Sequence, residues 1–141
     1  MATFNKFSAF VENLAEKVHN LGSDTLKVAL TNTAPTSANT ILSDVTQVSN
    51  GNGYTTGGTA ATISSSAQTS GTYKLVLADV VFTASGGTIG PFRYAVLYND
   101  TPTSPADPLI GYWDYGSSVT LADAETFTVD FDASAGVMTL V

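Results

Sequence analysis

Leu26-Lys27-Val28-Ala29-Leu30-Thr31 sets three large apolar side chains, Leu26, Val28 and Leu30, against Lys27, Ala29 and Thr31 on alternate positions. A period of two sends successive side chains to opposite faces, so the run reads as a strand with at least one buried face. Asn32-Thr33-Ala34-Pro35 ends it, because Asn and Thr favour turns and Pro cannot donate to a ladder.

The pattern repeats downstream. Thr72 to Ala78, Val80 to Ala84, Phe92 to Tyr98, Leu109 to Tyr115, Ser117 to Leu121, Glu125 to Phe131 and Val137 to Val141 are short strand-like runs, with Ile41 to Val48 and Ala60 to Ser65 as weaker ones. Phe92 to Tyr98 is apolar on both faces except at Arg93, which places it centrally in a sheet. In Glu125 to Phe131, Phe127, Val129 and Phe131 are expected inward. Ser85-Gly86-Gly87-Thr88 reads as a hairpin turn, and Asp100 to Pro108, with three prolines, as an exposed loop.

Upstream of Leu26 the period is different. Phe4, Phe7, Val11, Leu14, Val18 and Leu21 recur at steps of three and four, one stripe of a helix over about residues 3–21. Thr3 is the expected N-cap and Gly22 the expected left-handed stop. One helix followed by short strands over the rest of the chain indicates an all-β fold, an antiparallel β-sandwich of jelly-roll-like character with one N-terminal amphipathic helix. The 141 residues form a single domain with no internal repeat.

Composition narrows the chemistry. Charged residues are 12% of the chain, aromatics 10% and the formal net charge is −7. An acidic chain whose basic residues (Lys6, Lys17, Lys27, Lys74 and Arg93) are scattered offers no phosphate-binding cluster, so neither nucleic acid nor an anionic membrane is an expected partner. There is no cysteine, which removes disulfides, thiolate metal sites and thiol nucleophiles. No signal peptide and no apolar run of the ~20 residues of a membrane span is evident.

His19 is the only histidine and reads as a surface or helix-cap residue. No Gly-x-Ser-x-Gly elbow accompanies it, so a serine triad has no support. Asp130 and Asp132 share one face of a strand, with Asp123 and Glu125 upstream. Such a pair reads as an edge guard more readily than as a cation site or a glycosidase pair. Gly51, Gly53, Gly57 and Gly58 lack the following helix and Lys of a phosphate loop, and Ser49 to Gly58 reads as a flexible loop. No catalytic residue, cofactor or metal is expected. The aromatics Tyr94, Tyr98, Tyr112, Trp113 and Tyr115 suit core packing, a protein interface or glycan stacking.

Several of these stretches look familiar together. Leu26 to Thr31 leading into Thr33-Ala34-Pro35, the Gly51 to Gly58 loop, Gly90-Pro91-Phe92-Arg93-Tyr94-Ala95-Val96-Leu97-Tyr98-Asn99 and Leu109 to Gly116 resemble small β-rich virion proteins of tailed bacteriophages. Within that class the chain is most similar to capsid decoration, or cement, proteins. The resemblance is one of general pattern over most of the chain, without a catalytic signature. It implies a non-enzymatic structural protein, made in the host cytoplasm and located on the capsid surface of the virion. Its expected partners are the major capsid protein and further copies of itself, as a dimer or trimer.

The interface residues nominated on this reading are Phe4, Phe7, Tyr54, Tyr112, Trp113 and Tyr115. The reaching segments would be the N-terminus, Thr33 to Thr40, Asn50 to Ser70 and Thr101 to Pro108. The alternative is a tail or head-fibre module that binds a receptor or glycan.

Overall fold

The alternating run at Leu26–Thr31 is a strand, and it lies inside a sheet with a neighbour on each side. The computed structural model describes residues 2–141. In chain order these form β1 (Asn5–Lys6), α1 (Ser8–Ala15), β2 (Leu26–Thr31), β3 (Thr59–Ala61), β4 (Ile63–Thr69), β5 (Thr72–Leu77), β6 (Val80–Thr83), β7 (Ile89–Asn99), β8 (Leu109–Leu121), β9 (Thr126–Val129) and β10 (Met138–Leu140). Every strand pairing is antiparallel. The fold is all-β and sandwich-like, with one helix near the N-terminus.

A five-stranded sheet, ordered β1-β8-β7-β2-β3, faces a three-stranded sheet, β10-β5-β4, and a two-stranded one, β6-β9. Leu26, Val28, Leu30, Leu97 and Ile110 project from the large sheet into one core. They meet Leu75, Leu77, Val80, Phe82 and Val129 from the smaller sheets. The opposite face of the large sheet is also covered. Ala29, Val96, Tyr98 and Leu109 pack there beneath Phe7 and Leu42. Burial on both faces explains why Phe92 to Tyr98 is apolar on both, and β7 indeed lies between β8 and β2.

The helix is shorter than its apolar stripe. It covers Ser8–Ala15, not residues 3–21. Asn5 and Lys6 pair with Tyr112 and Gly111 as an edge strand, which makes Phe7 the N-cap in place of Thr3. At the other end Lys17 adopts a left-handed φ of 69°. The Val18 N–H then bonds to the Asn13 carbonyl at 2.8 Å and the Lys17 N–H to that of Leu14, a Schellman closure. A lysine therefore makes the stop expected of Gly22.

Two other expectations change for the same reason, that distant pairings outweigh local signals. Ser85-Gly86-Gly87-Thr88 is not a hairpin turn. β6 pairs with β9, so the turn carries the chain from one sheet to the other. Ile41 to Val48 holds a short 3-10 turn at Leu42–Asp44 in place of a strand, closed by Asp44 accepting from the Thr40 and Ile41 backbone N–H groups.

The glycine-rich segment is anchored, not a free arm. Tyr54 is 2% exposed and stacks on Phe82, with ring centroids 5.9 Å apart. Its hydroxyl accepts the Leu30 N–H at 3.2 Å and donates to Gln47 Oε1 at 2.7 Å. Gly58, at φ +76°, lies so close to the Val28 carbonyl that no Cβ would fit. The reaching segments 33–40 and 101–108 are largely exposed but tied together, Leu42 N–H to Asp107 O and Leu109 N–H to Thr40 O, both at 3.0 Å.

Candidate functional site

The strand β8 changes sides part-way along, and the site follows from that. Pairing with β7 shifts register between Leu97, opposite Gly111, and Tyr98, opposite Leu109, which leaves Ile110 as a bulge. Strict alternation would put Leu109 on the same face as Trp113. Across the bulge Leu109 instead joins Tyr112 on one face, while Ile110 and Trp113 share the main core. The N-terminal segment pairs alongside β8 here. The Phe4 ring rests on Gly111, leaving no space for a Cβ, and meets Trp113 at 5.3 Å between centroids.

Trp113 thus stands at the rim of a groove of about 480 Å³ between the large sheet and β9. Its floor is Leu30, Ala95 and Val137, and its walls are Phe4, Trp113, Phe127 and Phe131. Phe131 meets Trp113 edge-on at 5.4 Å, and Phe127 meets Tyr115 edge-on at 5.3 Å. Such edge-to-face contacts fix the rings relative to one another. Tyr115, at 57% exposure, is the most open aromatic at the rim.

Two opposite charges at this groove pair with each other. Arg93 grips Asp114 with both arms of its guanidinium, Nε to Oδ1 at 2.7 Å and Nη2 to Oδ2 at 2.9 Å, and lies over the Tyr94 ring. The Arg93 bond and the Gly116 N–H hold the Asp114 carboxyl below the usual range, and the same bond raises Arg93. On the opposite rim Asp132 accepts the Ala135 and Ser134 N–H groups, which lower its pKa. Outside the groove, Asp123 and Glu125 likewise accept the Gly86 and Ala122 N–H groups. Among the described residues no three His, Cys, Asp or Glu side chains gather in a way that could hold a metal ion.

Of the six nominated interface residues, the groove unites Phe4, Trp113 and Tyr115. Phe7 and Tyr54 are core residues, 0% and 2% exposed, which withdraws them as surface contacts of this chain. Tyr112 is half-buried on the opposite face, against Phe7 at 5.2 Å. Phe127, Phe131 and the Arg93–Asp114 pair belong to the site and were not singled out for it from the sequence. The one signal pointing to them was Arg93, the lone charge on an apolar strand.

His19 is not a surface residue; it is 5% exposed beside a second cavity of about 550 Å³. Asn99 Oδ1 accepts the Thr101 N–H, which orients the amide so that Nδ2 donates to Asp24 Oδ2 at 2.6 Å and to His19 Nδ1 at 3.2 Å. The neutral ring therefore carries its proton on Nε2, which has no hydrogen-bond partner. Burial drives the His19 pKa down to about 4, against a smaller opposing pull from Asp24. With its only lone pair already engaged by Asn99, this imidazole has none to offer Ser66 or any other hydroxyl in the cavity.

No protein-family model, curated protein or solved structure matches this chain. Among the described residues no helix is long and apolar enough to cross a membrane.

Proposed function

We propose that this chain is a non-enzymatic structural protein of a tailed-phage particle, of the capsid decoration type, which self-associates on the head and bridges capsid subunits. One observation carries the reading beyond the sequence resemblance. Six carboxylates and the lone histidine are committed to holding the fold, while an aromatic groove stays open. Asp44, Asp79, Asp114, Asp123, Glu125 and Asp132 each accept backbone N–H groups in turns or at strand ends. Groups used in this way stiffen a scaffold, and a stiff scaffold with apolar recesses suits binding by shape.

The test is sedimentation of the purified protein with heads of the phage that encodes it, through a density gradient. Co-migration with heads, weakened by Trp113→Ser, is the expected result. Protein left at the top of the gradient would contradict a capsid role. The second reading, a fibre module for a glycan, is favoured by the exposed Tyr115 beside Trp113. It predicts a change in Trp fluorescence across a polysaccharide panel, where the decoration reading predicts none.

A further inference from the structure

From Val45 to Tyr73 the chain carries no Asp, Glu, Lys, Arg or His, although its net charge is −7. This neutral stretch contains β3 and β4, which lie at the edges of the five- and three-stranded sheets respectively. Natural sheets guard such edges with Lys, Pro, inward charges or very short strands. β1, at the opposite edge of the large sheet, follows that rule, being two residues long with Lys6. β4 does not follow it. Ile63-Ser64-Ser65-Ser66-Ala67-Gln68-Thr69 has seven residues, no charge and no proline, and five of its side chains are exposed.

The ladder shows which backbone groups remain open. Ser66 is opposite Leu75 and Gln68 opposite Tyr73. The Leu75 carbonyl accepts the Val137 N–H from the β10 side, so it points away from β4. In an antiparallel ladder, residues that do not exchange hydrogen bonds with one neighbour direct their N–H and C=O groups to the other side. Ser66, and by the same alternation Gln68, therefore turn their backbone donors and acceptors outward. A register break between Ile63 and Ser65 interrupts the strand there, which leaves Ser65–Thr69 regular, with Ala67 at its centre.

We infer that two copies of this chain pair β4 to β4, antiparallel, about a two-fold axis at Ala67. In that register Ser66 of each copy faces Gln68 of the other, and both pairs exchange N–H···O bonds. Ala67 faces its own counterpart in the close, non-bonded position, with Cα atoms ~4.5 Å apart. Two chains of like charge meet where neither carries any, and the side chains at the seam are Ser, Ala, Gln and Thr. The interface is isologous, as a closed dimer requires, and the partner is an extended strand, as in β-augmentation. This pairing deepens the proposed assembly role and takes from it the need to self-associate, but not the capsid partner.

The chain has no cysteine, so one introduced thiol reports on one position. Ala67→Cys places two sulfurs across the axis at a Cα separation inside the ~4.4–6.8 Å range of disulfides. Under mild oxidant it is expected to cross-link at least ~10-fold faster than the exposed control Thr36→Cys, because pairing raises the effective concentration. Light scattering of the wild type over a concentration series is expected to reach twice 14.6 kDa. Gln68→Pro removes an outward N–H and the side-chain acceptor of the Gly71 N–H but no backbone bond to β5, and is expected to stay monomeric with an unchanged circular-dichroism spectrum.

A wild type monomeric at every concentration would overturn the inference. So would an oligomer that survives Gln68→Pro with no preference for Ala67→Cys, since it would use another surface. Neither result touches co-sedimentation with heads, which decides the capsid role separately.

Discussion

The aromatic groove and the cavity beside His19 treat polar groups in opposite ways. At the aromatic groove, Arg93 and Asp114 are about two-fifths exposed, at 39% and 37%, and satisfy each other. At the second cavity, His19 is buried with one nitrogen unpartnered, and its other nitrogen is held by Asn99 and, through it, by Asp24. Exposed paired charges cost little to solvate and add little stability, whereas a buried imidazole ties stability to its protonation state. The difference separates a face suited to meeting a partner from a joint that holds the segment after α1 against the sheet.

The largest effect that would sharpen this contrast is Phe10→Ala. Phe10 is 2% exposed and packs on His19 at 5.2 Å between ring centroids, so its loss is expected to cost about 3–5 kcal/mol in chemical denaturation. The half-exposed Trp113, replaced by Ala, is expected to cost about half as much. Equal losses at the two positions would erase the distinction between joint and face.

Acid is the next probe. Burial pushes the His19 pKa down to about 4 in the fold from the 6.5 of a solvated imidazole, so the unfolded chain binds more protons between those values. Its contribution is fully present above pH 6.5 and is lost as pH falls toward 4, on the order of 3 kcal/mol in total. His19→Asn keeps an acceptor for Asn99 and removes the titration. The difference in stability between wild type and this variant is expected to shrink or reverse over that window, as followed by urea denaturation at stepped pH. A parallel pH dependence in both proteins would remove His19 as its source.

Arg93→Gln is expected to have the smallest effect. The pair it breaks is open to solvent, so the melting temperature is expected to stay close to that of the wild type. A drop comparable to that of Phe10→Ala would mean that the groove charges hold the fold.

Much of the architecture is legible in side-chain periodicity. The alternation of Leu26, Val28 and Leu30, and the two-faced apolarity of Phe92 to Tyr98, locate β2 and the central β7 because burial of a strand face is a local pattern. What escapes is set by distant partners. Phe4 and Phe7 fit a helical stripe, yet pairing of Asn5 and Lys6 with β8 pulls their segment out of the helix. Tyr54 sits among glycines that suggest mobility, and only its bonds to Leu30 and Gln47 reveal an anchor. The groove draws walls from residues 4, 113, 127 and 131, and a bulge at Ile110 inverts the face on which Trp113 would be placed relative to Leu109. His19 looks exposed because the Asn99 that buries it lies 80 residues away.

The most direct measurement of the proposed capsid role is a density map, at a resolution that traces strands, of the intact particle in which that proposal places the chain. A scaffold acting through its surfaces is expected to appear on the outer face of the head, more than one copy together, with the aromatic groove at Trp113 against capsid density. Absence of the chain from the virion, or a lone copy with substrate-like density enclosed beside His19, would contradict it.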